Sequence, residues 1–160
     1  MPRAIAFVGW SGAGKTTLLE KLLPRLRTDA RRVGYLKTDA HGFEMDRPGK
    51  DTARLFDAGA QRIMIVSSGE IAIRYRPTAR PPLEELIAHA YPDCDLVLVE
   101  GAKHSTLPMI EVRHGEPAVA GTPPHLLAVV GAERDDRALP FFSRDDIESI
   151  ARFVEDWLLT

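Results

Sequence analysis

The stretch Gly9-Trp10-Ser11-Gly12-Ala13-Gly14-Lys15-Thr16 constrains this chain more than any other. An apolar run, Ala4 to Val8, leads into it, and Leu18, Leu19, Leu22, Leu23 and Leu26 recur behind it at helical spacing. A short, wholly apolar strand is buried on both faces, as in a parallel sheet. A glycine-rich turn that joins such a strand directly to a helix is the first half of a βαβ unit. Few architectures accept that beginning.

The stretch fits G-x-x-x-x-G-K-[ST], the phosphate-binding P-loop pattern, at every fixed position. Phosphates carry several negative charges in a small volume, so the loop must turn many backbone N–H groups toward them. Gly9, Gly12 and Gly14 permit positive φ and close backbone approach because they lack a Cβ. Successive N–H groups then form a concave anion nest, and the helix N-terminus behind it favours the same charge. On this logic Gly9, Ser11, Gly12, Ala13, Gly14, Lys15, Thr16 and Thr17 bind the nucleotide. Lys15 reaches the β- and γ-phosphates, and the Thr16 hydroxyl meets Mg²⁺. Arginine would replace Lys15 poorly, because the site needs a compact charge on a flexible stem.

Further along, Val33 to Lys37 reads as a strand and Thr38 to Lys50 as a loop of about thirteen residues, a length that is often functional. A helix is expected from Lys50 to Ala58, with Gly59 past its end. Ile63 to Val66 and Ile71 to Tyr75 read as hairpin partners. Leu83 to Ala90 is a short helix, Leu96 to Val99 a buried strand, Met109 to Arg113 and Leu126 to Val130 further strands. Pro24 is expected to kink the first helix or end it near Leu23. Ser143 and Asp146 resemble a capping box before a last helix striped by Ile147, Ile150, Ala151, Val154, Trp157 and Leu158. Strands alternating with helices predict a mostly parallel sheet.

Ligands bind such sheets at the carboxyl ends of the strands. Glu100 ends the 96–99 run, so it is the expected acid partner of the loop, holding Mg²⁺ through water or orienting an attacking water. Gly101 beside it would let a phosphate approach the backbone. Lys15 and Glu100 are thus the candidate catalytic pair, and Thr16 and Glu100 the candidate metal ligands. Asp39, His41, Asp46 and Lys50 in and after the long loop, with Lys103 and His104 beyond Glu100, are candidate switch or substrate contacts. Asp95 is expected to be a structural turn residue and Cys94 a small packing residue.

The 160 residues predict one nucleotide-binding domain spanning 1–160. The formal net charge of −2 gives no global pull toward nucleic acid or an anionic membrane. A single cysteine excludes an intrachain disulfide, the first strand starts too early for a signal peptide, and no apolar run approaches roughly 18 residues. A cytoplasmic protein is expected.

On these residues the chain resembles the molybdopterin-guanine dinucleotide biosynthesis protein B (MobB) family over nearly its whole length. The P-loop alone is widely shared. More specific are Asp46-Arg47-Pro48-Gly49-Lys50-Asp51-Thr52 and Glu100-Gly101-Ala102-Lys103-His104, with Gly34-Tyr35-Leu36-Lys37 and Ala58-Gly59-Ala60 in support. The resemblance implies a P-loop NTPase-like three-layer α/β sandwich with helices on both faces of a mostly parallel sheet and a small antiparallel extension. It also implies GTP and Mg²⁺ as ligands, weak GTPase activity, a homodimer, and a supporting role beside the guanylyltransferase that joins GMP to molybdopterin. The chain departs from the family's histidine-rich pattern at Lys37-Thr38-Asp39-Ala40-His41, and from an Ala-Ser-Asp-like pattern at Gly131-Ala132-Glu133. No Asn-Lys-x-Asp motif occurs, so the base is not read from a motif. Two other readings stay open on the residues alone. One is a small-molecule kinase with Arg74, Arg76 and Arg80 as a lid; the other is a dimeric scaffold whose P-loop is structural.

Overall fold

A computed structural model describes residues 1–39, 42–45, 47, 49–115, 118–119, 125–134 and 137–160. The chain forms two compact units, Met1–Thr38 with Leu83–Thr160, and Asp39–Pro82.

The first unit is built on six strands: β1 (Arg3–Val8), β2 (Val33–Lys37), β5 (Leu96–Glu100), β6 (Met109–Val112), β7 (Leu126–Gly131) and β8 (Phe141–Ser143). Their order is β2-β5-β1-β6-β7-β8, and every pairing is parallel. Alternation along the strands splits the core into two layers. Ile5, Phe7, Leu96, Leu98 and Ile110 face helices α1 (Lys15–Leu26) and α4 (Ile147–Leu158). Ala6, Val8, Val97, Val99 and Met109 face α3 (Leu83–Ala90) through Ile87. Burial on both sides explains why β1 and β5 contain almost no polar residue before their ends. The result is the P-loop NTPase-like three-layer sandwich that the alternating pattern and the family resemblance imply.

Helix α1 runs on to Leu26 with Pro24 inside it. Pro24 lies in the last turn, so it forfeits a single intrahelical N–H bond. Fully buried Leu22 and Leu26 anchor that turn, and the Arg27 N–H closes it on the Leu23 carbonyl at 2.9 Å. β8 is a strand the sequence pattern does not predict. It also displaces the expected cap: Ser143 ends β8, and Asp146 is the N-cap of α4, its Oδ1 accepting from the Ser149 N–H at 3.1 Å. No described helix is long and apolar enough to cross a membrane.

The second unit holds α2 (Asp51–Asp57) and the antiparallel pair β3 (Arg62–Val66) and β4 (Ile71–Tyr75). The helix ends in a Schellman turn: Gly59, at φ 113°, donates to Phe56, and Ala60 donates to Leu55. Arg74 and Arg76 stack on the buried Phe56 ring at 4.0 and 3.5 Å, and Arg76 also donates to the Phe56 carbonyl. Both arginines pack against α2 within this unit. Along the hairpin Met64, Ile65, Val66, Ile71 and Ile73 are exposed.

Candidate functional site

The loop from Gly9 to Gly14 joins β1 to α1 at the carboxyl edge of the sheet. β1 lies between β5 and β6, so both neighbours supply its walls. Its glycines are needed for different reasons. A Cβ on Gly9 would lie closer than 3.0 Å to the carbonyl oxygen of Val112 in β6. That position is glycine because two backbones meet. Gly12 and Gly14 have φ of 82° and 85°, which side-chain-bearing residues rarely adopt. The Ala13 N–H closes the turn on the Trp10 carbonyl at 3.2 Å, and Ala13 itself is buried. Ser11 and Gly12 are exposed at the tip. Lys15 folds back over the loop and donates to the carbonyls of Gly9 (3.0 Å) and Trp10 (2.8 Å), which fixes its ammonium above the nest.

Register brings the acid to this loop. Phe7 pairs with Glu100, so β5 ends level with the exit of β1. Thr16 Oγ1 lies 3.1 and 2.9 Å from the two carboxylate oxygens of Glu100, to which it donates. The Tyr35 hydroxyl of β2 donates to the same carboxylate at 2.9 Å. Glu100 is only 6% exposed, so these bonds offset the cost of burying its charge. Burial, then the bond to Glu100 and its negative charge, push the Tyr35 phenol up to about 12. A hydroxyl and a carboxylate in contact beside an anion nest are hard oxygen donors of the kind a Mg²⁺ ion takes together with phosphate oxygens. The donor set fits that ion.

Gly101 answers a packing requirement as well. Its φ is 92°, and a Cβ there would stand 2.5 Å from Thr38 Oγ1. Thr38 donates through its backbone N–H to the Glu100 carbonyl (3.0 Å) and accepts from the Ala102 N–H (2.9 Å). The missing side chain makes room for this clamp at the ends of β2 and β5. Lys103 is exposed, with its ammonium 5.8 Å from the Trp10 ring, so it stands beside the loop; His104 is exposed next to it. Asp95 is structural as expected, accepting from the Arg32 N–H at 2.7 Å.

Asp39 and Lys50 belong to the second unit. Lys50 caps α2 and, with Arg47 and Asp51, borders a cleft of about 450 Å³ within that unit. His41 and Asp46 lie outside the described residues.

Sequence reasoning missed Tyr35, Thr38 and Arg144. Tyr35 looked like an ordinary strand residue; only the pairing of β2 with β5 reveals its target. Arg144 follows β8 and lies against the loop from the other side, where a Cβ on Gly14 would meet its guanidinium. Arg144 Nη1 also contacts His114 Nδ1. Together they stand over a cleft of about 400 Å³ between Gly14–Lys21 and the ends of β7 and β8. Deeper in this half, buried Glu111 of β6 accepts from the Val119 N–H and pairs with Arg137.

A strand that ends in a glycine-rich loop, a lysine over that loop, and an acid on the neighbouring strand define a P-loop protein of the all-parallel kind. Comparison with known proteins narrows this further. Residues 4–132 match the family model for "Molybdopterin guanine dinucleotide synthesis protein B", MobB. The molybdopterin-guanine dinucleotide biosynthesis adapter protein of Escherichia coli (strain K12) is 34% identical over 96% of this chain and 92% of its own. The adapter protein of the same name from Haemophilus influenzae is 35% identical over 96% and 88%. A crystal structure of molybdopterin-guanine biosynthesis protein B superposes with a TM-score of 0.75 at 27% identity, covering 96% of this chain and 99% of that one. The chain belongs to the MobB family.

Proposed function

We propose that this chain is a GTP-binding accessory protein of molybdenum cofactor biosynthesis that assists formation of molybdopterin guanine dinucleotide, with slow Mg²⁺-dependent GTP hydrolysis. One observation carries the nucleotide part of this reading: the contact of Thr16 Oγ1 with both oxygens of Glu100, at the mouth of a loop whose glycines are demanded by φ and by space. The adapter role rests on the family and on the printed names of the relatives.

Under this reading the backbone N–H groups from Ser11 to Thr17, with Gly9, Gly12, Ala13 and Gly14 shaping the turn, receive the phosphates. Lys15 exchanges its carbonyl partners for phosphate oxygens. Thr16 and Glu100 would hold Mg²⁺, which when bound neutralises phosphate charge and polarises the phosphoryl oxygen. Tyr35 keeps the Glu100 carboxylate turned toward Thr16. Lys103 and His104 beside the loop remain candidate partner or switch contacts, and so, from the sequence, do Asp39, His41, Asp46 and Lys50. The exposed apolar hairpin supports a homodimer, since an isolated two-stranded sheet is marginal in water and gains from a second covering surface.

Titration calorimetry with GTP and ATP in the presence of Mg²⁺ tests the reading. GTP is expected to bind more tightly than ATP, and Lys15→Ala to abolish both. Addition of the protein to the partner guanylyltransferase is expected to raise dinucleotide yield, and its sedimentation to give twice the chain mass. Equal affinity for GTP and ATP would remove the guanine assignment.

A further inference from the structure

β2 is the outermost strand on its side of the sheet and pairs with β5 alone among the described strands. Its other edge is held by a side chain instead. The Tyr91 hydroxyl donates to the Tyr35 carbonyl at 2.6 Å, and the Tyr91 ring lies against Gly34, where a Cβ would stand 2.5 Å from it. Tyr91 directly follows α3. Its N–H donates to the Ile87 carbonyl at 3.1 Å, its carbonyl accepts from the Cys94 N–H at 3.2 Å, and Ile87 is in the core. Tyr35 therefore joins two places: its backbone meets Tyr91 and its side chain meets Glu100. We propose that Tyr91 and Tyr35 form a relay of positioning residues for a divalent cation. Tyr91 fixes the middle of β2, Tyr35 carries that position to the Glu100 carboxylate, and the pair sets cation affinity while the loop sets phosphate affinity. This rests on the nucleotide reading above, in which Thr16 and Glu100 hold the cation.

Four features carry it. Register is the first. Tyr35 stands opposite Leu98, so Glu100 lies two residues on along β5 and on the same face. Such a diagonal pair is about 7–8 Å apart, a gap that a long aromatic side chain spans. Partnering is the second. The hydroxyls of Thr16 and Tyr35 both donate to the buried carboxylate, but Thr16 is itself a candidate ligand, whereas Tyr35 holds the carboxylate from the β2 side. A donor behind a ligating carboxylate orients it and removes freedom that binding would otherwise have to freeze. Stiffness is the third. Arg32 and Asp95 exchange bonds of 2.7 and 2.8 Å at the start of β2, Thr38 clamps its end to β5, and Tyr91 holds the stretch between, where Tyr35 lies. Separation is the fourth. Lys15 and the Ala13 N–H bond to carbonyls of the loop itself, so the nest takes its shape without either tyrosine.

The test is calorimetry of the full chain with GTP plus Mn²⁺, standing in for Mg²⁺, and with GTP in excess chelator. The ratio of the two affinities is the gain from the cation. It is measured for the wild type, Tyr35→Phe, Tyr91→Phe, the double variant, and Glu100→Gln as the chain without the carboxylate. Circular dichroism checks that each is folded; both phenylalanine variants keep the ring. Tyr35→Phe is expected to cut the gain about tenfold, as loss of a partner behind a metal ligand does. Tyr91→Phe should cut it about threefold to fivefold, as loss of one neutral hydrogen bond does. Both should bind metal-free GTP within about twofold of the wild type, since the loop is a separate structure. The double variant should match Tyr35→Phe, because Tyr91 acts through Tyr35. An unchanged gain in Tyr35→Phe would overturn the proposal, and so would equal losses with and without Mn²⁺, the mark of a general structural defect. Additive losses in the double variant would overturn the relay. A wild type whose GTP affinity gains nothing from Mn²⁺, or a Glu100→Gln chain that keeps the gain, would overturn the metal assignment beneath the proposal as well; a wild type that binds no GTP would remove the nucleotide reading with it.

Discussion

Gly9→Ala and Gly12→Ala separate the two reasons for glycine in the P-loop. At Gly9 the backbone is not in the left-handed region, but an added methyl would fall closer than 3.0 Å to the Val112 carbonyl oxygen, 3.3 Å from its carbon and 3.4 Å from the Ala13 methyl. All three neighbours are immobile: two belong to β6, and Ala13 is buried in the loop. The methyl can be accepted only if β1 and β6 part. Overpacking of this kind costs about 1–3 kcal/mol, and the upper part of that range is expected because backbone must move. At Gly12 the same methyl meets nothing within 4 Å, and the cost is that of φ 82°, about 1 kcal/mol. At roughly 2–4 °C per kcal/mol for a chain of this size, Gly9→Ala should lower Tm by about 4–12 °C and Gly12→Ala by about 2–4 °C. Thermal unfolding followed by tryptophan fluorescence measures the Tm shift and urea unfolding the free energy, since Trp10 and Trp157 both lie in the first unit. Far-ultraviolet circular dichroism guards against a local effect on Trp10. A Gly12→Ala chain less stable than Gly9→Ala would refute the assignment, as would a Gly9→Ala chain within about 0.5 kcal/mol of wild type.

Two further outcomes follow from buried polar groups. Arg137→Met strands the Glu111 carboxylate, which is 1% exposed, with the Val119 N–H as its remaining named partner; a loss of about 3–5 kcal/mol is expected in urea unfolding, mostly recovered in the Glu111→Gln, Arg137→Met double variant. The Tyr35 phenol should ionise only near pH 12, read as the difference in phenolate absorbance between wild type and Tyr35→Phe. Because folding raises this pKa from 10.0, the contribution is present below pH 10.0 and lost as pH rises toward 12. Glu100→Gln should move the phenol partway down, leaving the part due to burial; an unchanged value would mean that Glu100 does not contribute.

The sequence shows what is local. Ala4 to Val8 and Leu96 to Val99 reveal themselves as buried strands because both faces are apolar, and the leucine stripe of α1 follows the helical period. Glu100 was legible because a P-loop needs an acid and because that residue ends an apolar run. The sequence cannot show register between segments far apart in the chain. Tyr35 reaches Glu100 only because β2 pairs with β5 so that Lys37 stands opposite Glu100. Thr38 explains Gly101 through the same pairing, and Val112 explains Gly9 through the pairing of β1 with β6. β8 is three residues long, too short for any period, so Arg144 had no visible address. These misses share a cause. β1 is flanked on one side by β5 and on the other by β6, β7 and β8. The motif between β1 and α1 therefore states only the phosphate half of the chemistry. The carboxylate that meets Thr16 comes from the β5 side, through Glu100 with Tyr35 behind it, and the guanidinium against Gly14 comes from the β8 side, through Arg144. A change of strand register on one flank would then alter one of these contacts and spare the other, although no residue of the motif itself had changed.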